Sequence, residues 1–434
     1  MATTYLYRDV SSASNRRTWT WSAWIKRSSL SGNQSLFTSR TDNSNYATIR
    51  LEPDRFHIFD LVSSSFNYQV KTNRKLKDVN GWYHLVVAFD TTQATASNRV
   101  KLYVNGVQET DLAESSYPAQ NYEGFINRNR THYIGQGGNL GDKFDGSMSH
   151  INFVDGTALT PSSFGSTDST TGEWKINTNL SVTYGTEGYF ILKDGNSLTD
   201  QSPNSNNYTA SGTLTKTEDC PSNVFATLDA IQYKTSALTY SNGNTTVSYP
   251  GAWVFALSQL GVSSGKYYWE AKCNSGNNAN SFFGICAEIV PTGNGFYNAS
   301  QNGAIMYKVG SGETYIDASY NSSGYSPSIN NTDIVGLALD LDSGTKTLKI
   351  YKNGTLLSSG GTVNLSSYFN DTLVFPCFQG NSSSASCSFN VNFGNGYFGT
   401  TAVSSAGTNA SNNGIFEYDV PAGYTALSTK GLNL

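Results

Sequence analysis

Charge is scarce in this chain of 434 residues: only 14% are Asp, Glu, Lys or Arg, and the formal net charge is −4. Such a balance leaves no basic footprint for nucleic acid or for an anionic membrane surface. Helical periodicity is also missing, and no apolar run approaches the length of a membrane span. The first residues, MATTYLYRDVSS, lack a basic segment followed by an apolar one, so synthesis in a cytosol without a secretory leader is expected. Cysteine is sparse and odd in number, five in all, so a complete set of internal disulfides is excluded. No pair has the short spacing of a zinc site, and Cys273 and Cys286 sit in apolar runs as inert buried thiols do. Histidine numbers only four, at positions 57, 84, 132 and 150, without an H-E-x-x-H spacing.

What the chain has instead is aromatic residues, 13% of the total, and 41 glycines among Ser, Asn and Thr. That composition favours strands and turns. Residues 334–354, IVGLALDLDSGTKTLKIYKNG, set Val335, Leu337, Leu339 and Leu341 against Gly336, Ala338, Asp340 and Asp342. This is the two-residue period of a half-buried strand. Leu348 and Ile350 alternate with Lys349 and Tyr351 after the turn, and Asn353-Gly354 suits a tight hairpin. The same plan occurs in GWYHLVVAFD (81–90) and RVKLYVNG (99–106). In RTWTWSAWIKR (17–27), Trp19, Trp21 and Ala23 share one face and Thr20, Ser22 and Trp24 the other. The expected fold class is all-β: two antiparallel β-sandwich, jelly-roll domains in tandem. The expected boundaries are 1–195, a linker over 196–223, 224–398, and a C-terminal tail over 399–434.

The ordered segments TWSAWIKR, GWYHLVVAFD, VKLYVNG, YIGQ and FDGSMSHINFVDGTAL, within 18–164, resemble a LamG-like concanavalin A-type jelly roll. GVSSGKYYWEAKC, FFGICAEI, the 334–354 hairpin, LVFPCFQG and FNVNFG resemble in that order the SPRY domain. The first resemblance implies a binder of carbohydrate or protein, with a minority of glycosidases in the wider fold; the second implies a binding module with loop-borne specificity. With the CPSNVFATLD junction (220–229) and the PAGYTAL ending (421–427), the whole resembles virion structural proteins of marine bacteriophages, including cyanophages. That resemblance implies a non-enzymatic protein located in the virion, on the capsid or tail. Its partners would be other virion proteins and a host surface glycan or protein, and it would act as a homo-oligomer. A free carbohydrate-binding lectin is the alternative.

Catalytic patterns are weak. ETDLAE (Glu109, Asp111, Glu114) matches the E-x-D-x-x-E of laminarinase-like enzymes, in which two carboxyls must approach within roughly 5 Å. It follows the Asn105-Gly106 turn and reads as a loop of solvated carboxylates, with Thr110 where an apolar residue is expected. GVSSG around Ser263 fits a nucleophile elbow only literally, because every histidine precedes it. GNGYFG (394–399) has no helix after it to hold a pyrophosphate. No catalytic residue and no cofactor are expected; the Asp142–Asp145 loop is the one place with the oxygen-rich composition calcium favours. The candidate contact residues are aromatics among small polar residues in loops: Tyr117, Tyr122, Phe125, Phe296, Tyr297, Tyr320 and Tyr325. Rings folded back over the ends of the sandwich are the alternative for them.

Overall fold

The computed structural model describes residues 4–193, 197–231, 238–249, 254–275, 281–287, 304–316, 319–323, 325–369, 372–380 and 387–433. It is all-β, with strands and a few 3-10 turns but no α-helix among the described residues, and it divides into two units, Met1–Lys216 and Thr217–Leu434.

The first unit contains β1 (Tyr5–Asp9), β2 (Thr18–Arg27), β3 (Gln34–Asp42), β4 (Asn45–Leu51), β5 (Arg55–Val62), β6 (Ser65–Lys75), β7 (Tyr83–Asp90) and β8 (Val100–Val104). It continues with β9 (Val107–Gln108), β10 (Leu112–Ser116), β11 (Thr131–Ile134), β12 (Gly146–Asp155), β13 (Gly165–Thr167), β14 (Trp174–Ile176), β15 (Tyr189–Ile191) and β16 (Thr209–Ser211). Eight strands form one sheet in the order β10–β6–β5–β4–β3–β11–β1–β16, and six form the other in the order β15–β12–β2–β7–β8–β9. Alternate residues meet between them: Trp19, Trp21, Ala23 and Ile25 of β2 and Leu85, Val87 and Phe89 of β7 pack with Ala47, Ile49, Ile58 and Val70. The opposite phase of β2, Thr20, Ser22 and Trp24, is buried as well. Residues 157–184 fold back over that outer face, where Leu159, Phe164, Leu180 and Tyr184 pack on Val86, Ala88, Tyr103 and Val154.

The second unit contains β17 (Thr239–Ser241), β18 (Thr246–Tyr249), β19 (Val254–Leu257), β20 (Lys266–Ser275), β21 (Ser281–Ala287), β22 (Ala304–Lys308), β23 (Glu313–Ile316), β24 (Ser319–Ser323) and β25 (Ile334–Asp340). After them come β26 (Thr347–Lys352), β27 (Thr355–Leu356), β28 (Thr362–Asn364), β29 (Val374–Gly380), β30 (Cys387–Asn392), β31 (Tyr397–Phe398), β32 (Thr401–Ala402) and β33 (Thr425–Ala426). One sheet runs β17–β18–β30–β20–β25–β26–β27, with β28 also on β26 and β33 on β20; the other runs β19–β29–β21–β22–β23–β24. Val335, Leu337, Leu339, Leu348 and Ile350 face the core, as their alternation requires.

Two expected boundaries differ from those of the structure. Residues 196–216 are part of the first unit rather than a linker: β16 pairs with β1, and Tyr208 is buried in its core. The Asn/Ser/Asp-rich run turns on itself, with the Asp200 carboxylate accepting from the amides of Phe190, Ser202 and Asn206 at 2.8 Å each. Short polar side chains bonding nearby backbone are what gives such a run a fixed shape. Nor does 399–434 hang free. Phe416, Val420, Tyr424 and Ala426 cover Tyr268, Ala338 and Tyr351 on the outer face of the larger sheet. Thr425 and Ala426 add a parallel strand beside Tyr267 and Tyr268.

Candidate binding surface

On β3 to β6 the residues out of phase with the core form the outer face of the eight-stranded sheet. Thr38 and Thr48, cross-strand partners, share a hydroxyl hydrogen bond of 2.8 Å. Beside them the Tyr46 and Phe59 rings lie 5.7 Å apart, and Phe59 meets Phe66 edge-on at 5.1 Å. Phe66 is 50% exposed. The Arg50 guanidinium sits 4.6 Å above the Phe59 ring, within cation–π range. It also pairs with Glu52 and, at 3.6 Å, with Asp142. Glu52 accepts from His57 Nδ1 at 2.8 Å and faces Lys71 at 3.5 Å; Lys71 in turn lies 3.6 Å from Glu114. The His57 hydrogen bond, then Arg50, hold the Glu52 carboxyl far below the ordinary carboxylate range despite partial burial. Burial pushes His57 downward, so its ring stays neutral at pH 7. Farther along the same face, Tyr5, Tyr7 and Tyr133 cluster at 6.1–6.3 Å, with Lys143 5.2 Å from the Tyr5 ring centre.

This array of aromatic rings and paired charges was missed by reasoning that sought function in loops. Its signal lies in YATIRLE and FHIFDLV, where Tyr, Arg, His and Phe occupy alternate positions against an apolar phase.

Four of the seven loop aromatics have described side chains, and these take the folded-back alternative rather than the contact role. Phe125 and Tyr325 are buried, at 7% and 5% exposure, and the Tyr325 hydroxyl donates to the Lys308 carbonyl. Tyr117 and Tyr122 are half-buried against the first core, and the Tyr122 hydroxyl donates to Asp60. These four rings cover the sandwich because burying them removes more apolar surface from water than presenting them would. Phe296 and Tyr297 lie outside the described residues, as does the side chain of Tyr320 on β24.

The E-x-D-x-x-E segment is not a free loop either, since β10 is an edge strand paired with β6. Glu109 pairs with Arg74 at 3.0 Å, Asp111 accepts from the Asn73 amide at 2.9 Å, and Glu114 faces Lys71. Among the described residues no three His, Cys, Asp or Glu side chains converge on a metal-sized site, and Asp142 of the oxygen-rich loop pairs with Arg50. Gly265 donates its amide to Asp342 and leads into β20, so GVSSG opens a strand. The amides of Gly394 and Gly396 bind Asn392 Oδ1, with the short strand β31 following. His84 is fully buried: Ser22 Oγ lies 2.9 Å from Nε2, Nδ1 accepts from Trp174 Nε1 at 3.0 Å, and burial lowers its pKa to about 3. It is a packing residue. No helix among the described residues is long and apolar enough to cross a membrane.

Residues 2–164 match the family model for the concanavalin A-like lectin/glucanases superfamily, and residues 266–396 match that of the SPRY domain. No curated protein matches the chain. Among solved structures it is similar to the SPRY domain of human HERC1, at 18% identity over 38% of this chain and 92% of that one, with a TM-score of 0.30. It is similar to mouse laminin alpha1 chain domains LG4-5 at 11% identity over 90% and 85%, TM-score 0.30. Likewise it resembles the heptameric SAP-like pentraxin of Limulus polyphemus at 20% identity over 36% and 71%, TM-score 0.26. The chain thus carries a LamG-like concanavalin A-type domain followed by a SPRY domain, both of them β-sandwich modules.

Proposed function

We propose that this chain is a non-enzymatic binding protein of a bacteriophage particle, in which β-sandwich modules hold it to other virion proteins and touch a host surface glycan or protein. The outer face of the eight-stranded sheet is its contact surface. The observation that carries this reading is half-exposed Phe66, seated edge-on against buried Phe59 with buried Tyr46 behind it, beside the Arg50–Glu52–His57–Lys71 array. A ring held in place by buried rings offers stacking area, and the paired charges beside it offer hydrogen bonds in fixed directions without a net field. The opposite sheet of the same unit has its outer face closed by 157–184, which leaves it fewer side chains to offer. A non-enzymatic role is supported by the carboxylates Glu109, Asp111 and Glu114, each engaged by a residue of β6. The order of the two modules and the PAGYTAL ending resemble those of virion structural proteins, and that resemblance supports the virion assignment.

Two measurements test the reading. Mass spectrometry of purified particles is expected to find the chain; its absence there, with tight glycan binding by the isolated protein, would make it a free lectin. On an array of host surface glycans and proteins, Phe66→Ala is expected to weaken binding by about tenfold or more, the loss of one stacked contact. Unchanged binding by Phe66→Ala and by Arg50→Ala would move the contact surface elsewhere.

A further inference from the structure

We propose that Asp60 and Tyr122 form a pH-sensitive latch that holds the loop of residues 117–128 closed over the core of the first unit. Asp60 lies on β5 in the same phase as core Ile58 and has no exposed surface. Its Oδ2 accepts from the Tyr122 hydroxyl at 2.8 Å and the backbone amide of Phe125 also favours the carboxylate, while Oδ1 makes no hydrogen bond of regular geometry among the described residues. Among the described residues no ion pair reaches it either. Such a site suits a neutral acid and penalises a carboxylate, which needs its lone pairs satisfied or a cation in contact.

The groups facing Asp60 come from every element around it. Tyr68, its cross-strand partner on β6, and Tyr122 are held neutral, since burial and then Asp60 raise both, and Ala47 on the β4 side brings no charge, so none of the three supplies a counter-ion. Arg16 and Arg128 attract the carboxylate from a distance. Both are committed to the loop: Arg16 Nε donates to the Gly124 carbonyl at 2.8 Å, and Arg128 stands 5.4 Å over the Phe125 ring. Burial outweighs the hydrogen bonds from Tyr122 and the Phe125 amide and the pull of the two arginines, raising Asp60 to about 7.

The sign follows from a carboxyl raised on folding. The closed loop keeps its full stability below the ordinary carboxylate range, loses it progressively as pH climbs from there to 7, and levels off above. Ionised, Asp60 gains most by admitting water, and the segment able to yield is 117–128, whose Tyr122 and Phe125 cover it. Opening turns outward the same rings that the closed state buries, together with Arg128.

Hydrogen exchange of the full chain, measured by mass spectrometry from pH 5.5 to 8.5 and corrected for intrinsic rates, tests the latch. Peptides spanning 117–128 should lose protection by about 30-fold between pH 5.5 and 8.5, most of it below pH 7, as set by one carboxyl raised from the ordinary range to about 7. In Asp60→Asn that loss should vanish. Tyr122→Phe keeps Asp60 and should retain the pH dependence while starting from weaker protection. A pH-independent wild-type loop, an equal loss in Asp60→Asn, or a loss shared by peptides of β7 would each overturn the proposal, the last because it would mark unfolding of the whole unit.

Discussion

Replacing Glu270 by leucine should release the C-terminal segment from the second unit. Glu270 sits on the central strand β20 with no exposed surface. Its carboxylate accepts from the backbone amides of Glu417 at 2.9 Å and Tyr418 at 3.0 Å, from the Tyr268 hydroxyl at 3.2 Å and from the Asn392 amide at 3.4 Å. Leucine fills a similar volume but accepts nothing. Two backbone N–H groups are then left among Tyr268, Phe416 and Tyr351, at about 1–3 kcal/mol each. Partial relaxation of the segment toward water brings the expected loss to about 3 kcal/mol. Glutamine keeps one acceptor and should lose about half of that. Chymotrypsin cleavage at Phe416, Tyr418 and Tyr424 reads the release directly: the wild type should resist, Glu270→Leu should be cut at least tenfold faster, and Glu270→Gln should fall between. Burial also raises the Glu270 carboxyl to about 7 against these donors, so the wild-type segment should become easier to cut as pH rises through 7, and Glu270→Gln should not. Equal cleavage rates in wild type and Glu270→Leu would refute the assignment of Glu270 as the anchor.

Ser63 and Ser64 make the β5–β6 turn with φ of 51° and 65°, a left-handed pair that L-residues other than Asn and Gly adopt at a cost. The double change Ser63→Asn, Ser64→Gly should stabilise the first unit by about 1 kcal/mol and raise its thermal midpoint, without altering hydrogen exchange elsewhere. His84 and His132, both lowered to about 3 by burial, titrate in the opposite sense to Asp60 and Glu270. Their stability contribution is complete above the ordinary histidine range and drains away as pH falls toward 3, so urea midpoints of the first unit should drop between pH 6 and 3. His84→Gln should reduce that slope by about one proton's worth.

The period-two alternation of 334–354 and 81–106 was enough to place both hairpins and the side that each buries, because the pleat ties a residue's face to its parity. Residue roles beyond parity were less accessible. A run such as DQSPNSNNYTASG looks like a linker by composition, and only tertiary partners reveal that Asp200 gathers three amides. The aromatics of 117–125 sit among small polar residues, as contact residues do, yet apolar area decides in favour of the core. Conversely, the ionic array around Glu52 is assembled from β4, β5, β6 and the 142 loop, and no local window of sequence contains it.

The two hairpins match down to individual hydrogen bonds. Asn105 donates its amide to the His84 carbonyl and accepts the His84 amide at its side-chain oxygen, each at 2.8 Å. Asn353 repeats both with Ile334, at 2.8 and 2.9 Å. The glycine after each asparagine has φ near 80°, and a Cβ there would strike an aromatic ring: Trp174 over Gly106 and Tyr418 over Gly354. Each ring belongs to a later segment that covers the outer face of the hairpin's own sheet, 157–184 in one unit and 413–428 in the other. A glycine at this turn therefore serves two ends, permitting the left-handed backbone and seating the ring that closes the layer. In each unit that sheet is scaffold on both faces, inward through its aliphatic phase and outward through its covering segment. In the first unit the far face of the other sheet is itself buried at Thr38, Thr48, His57 and Phe59, so the side chains it leaves to meet a partner lie toward the β5–β6 turn, around half-exposed Phe66.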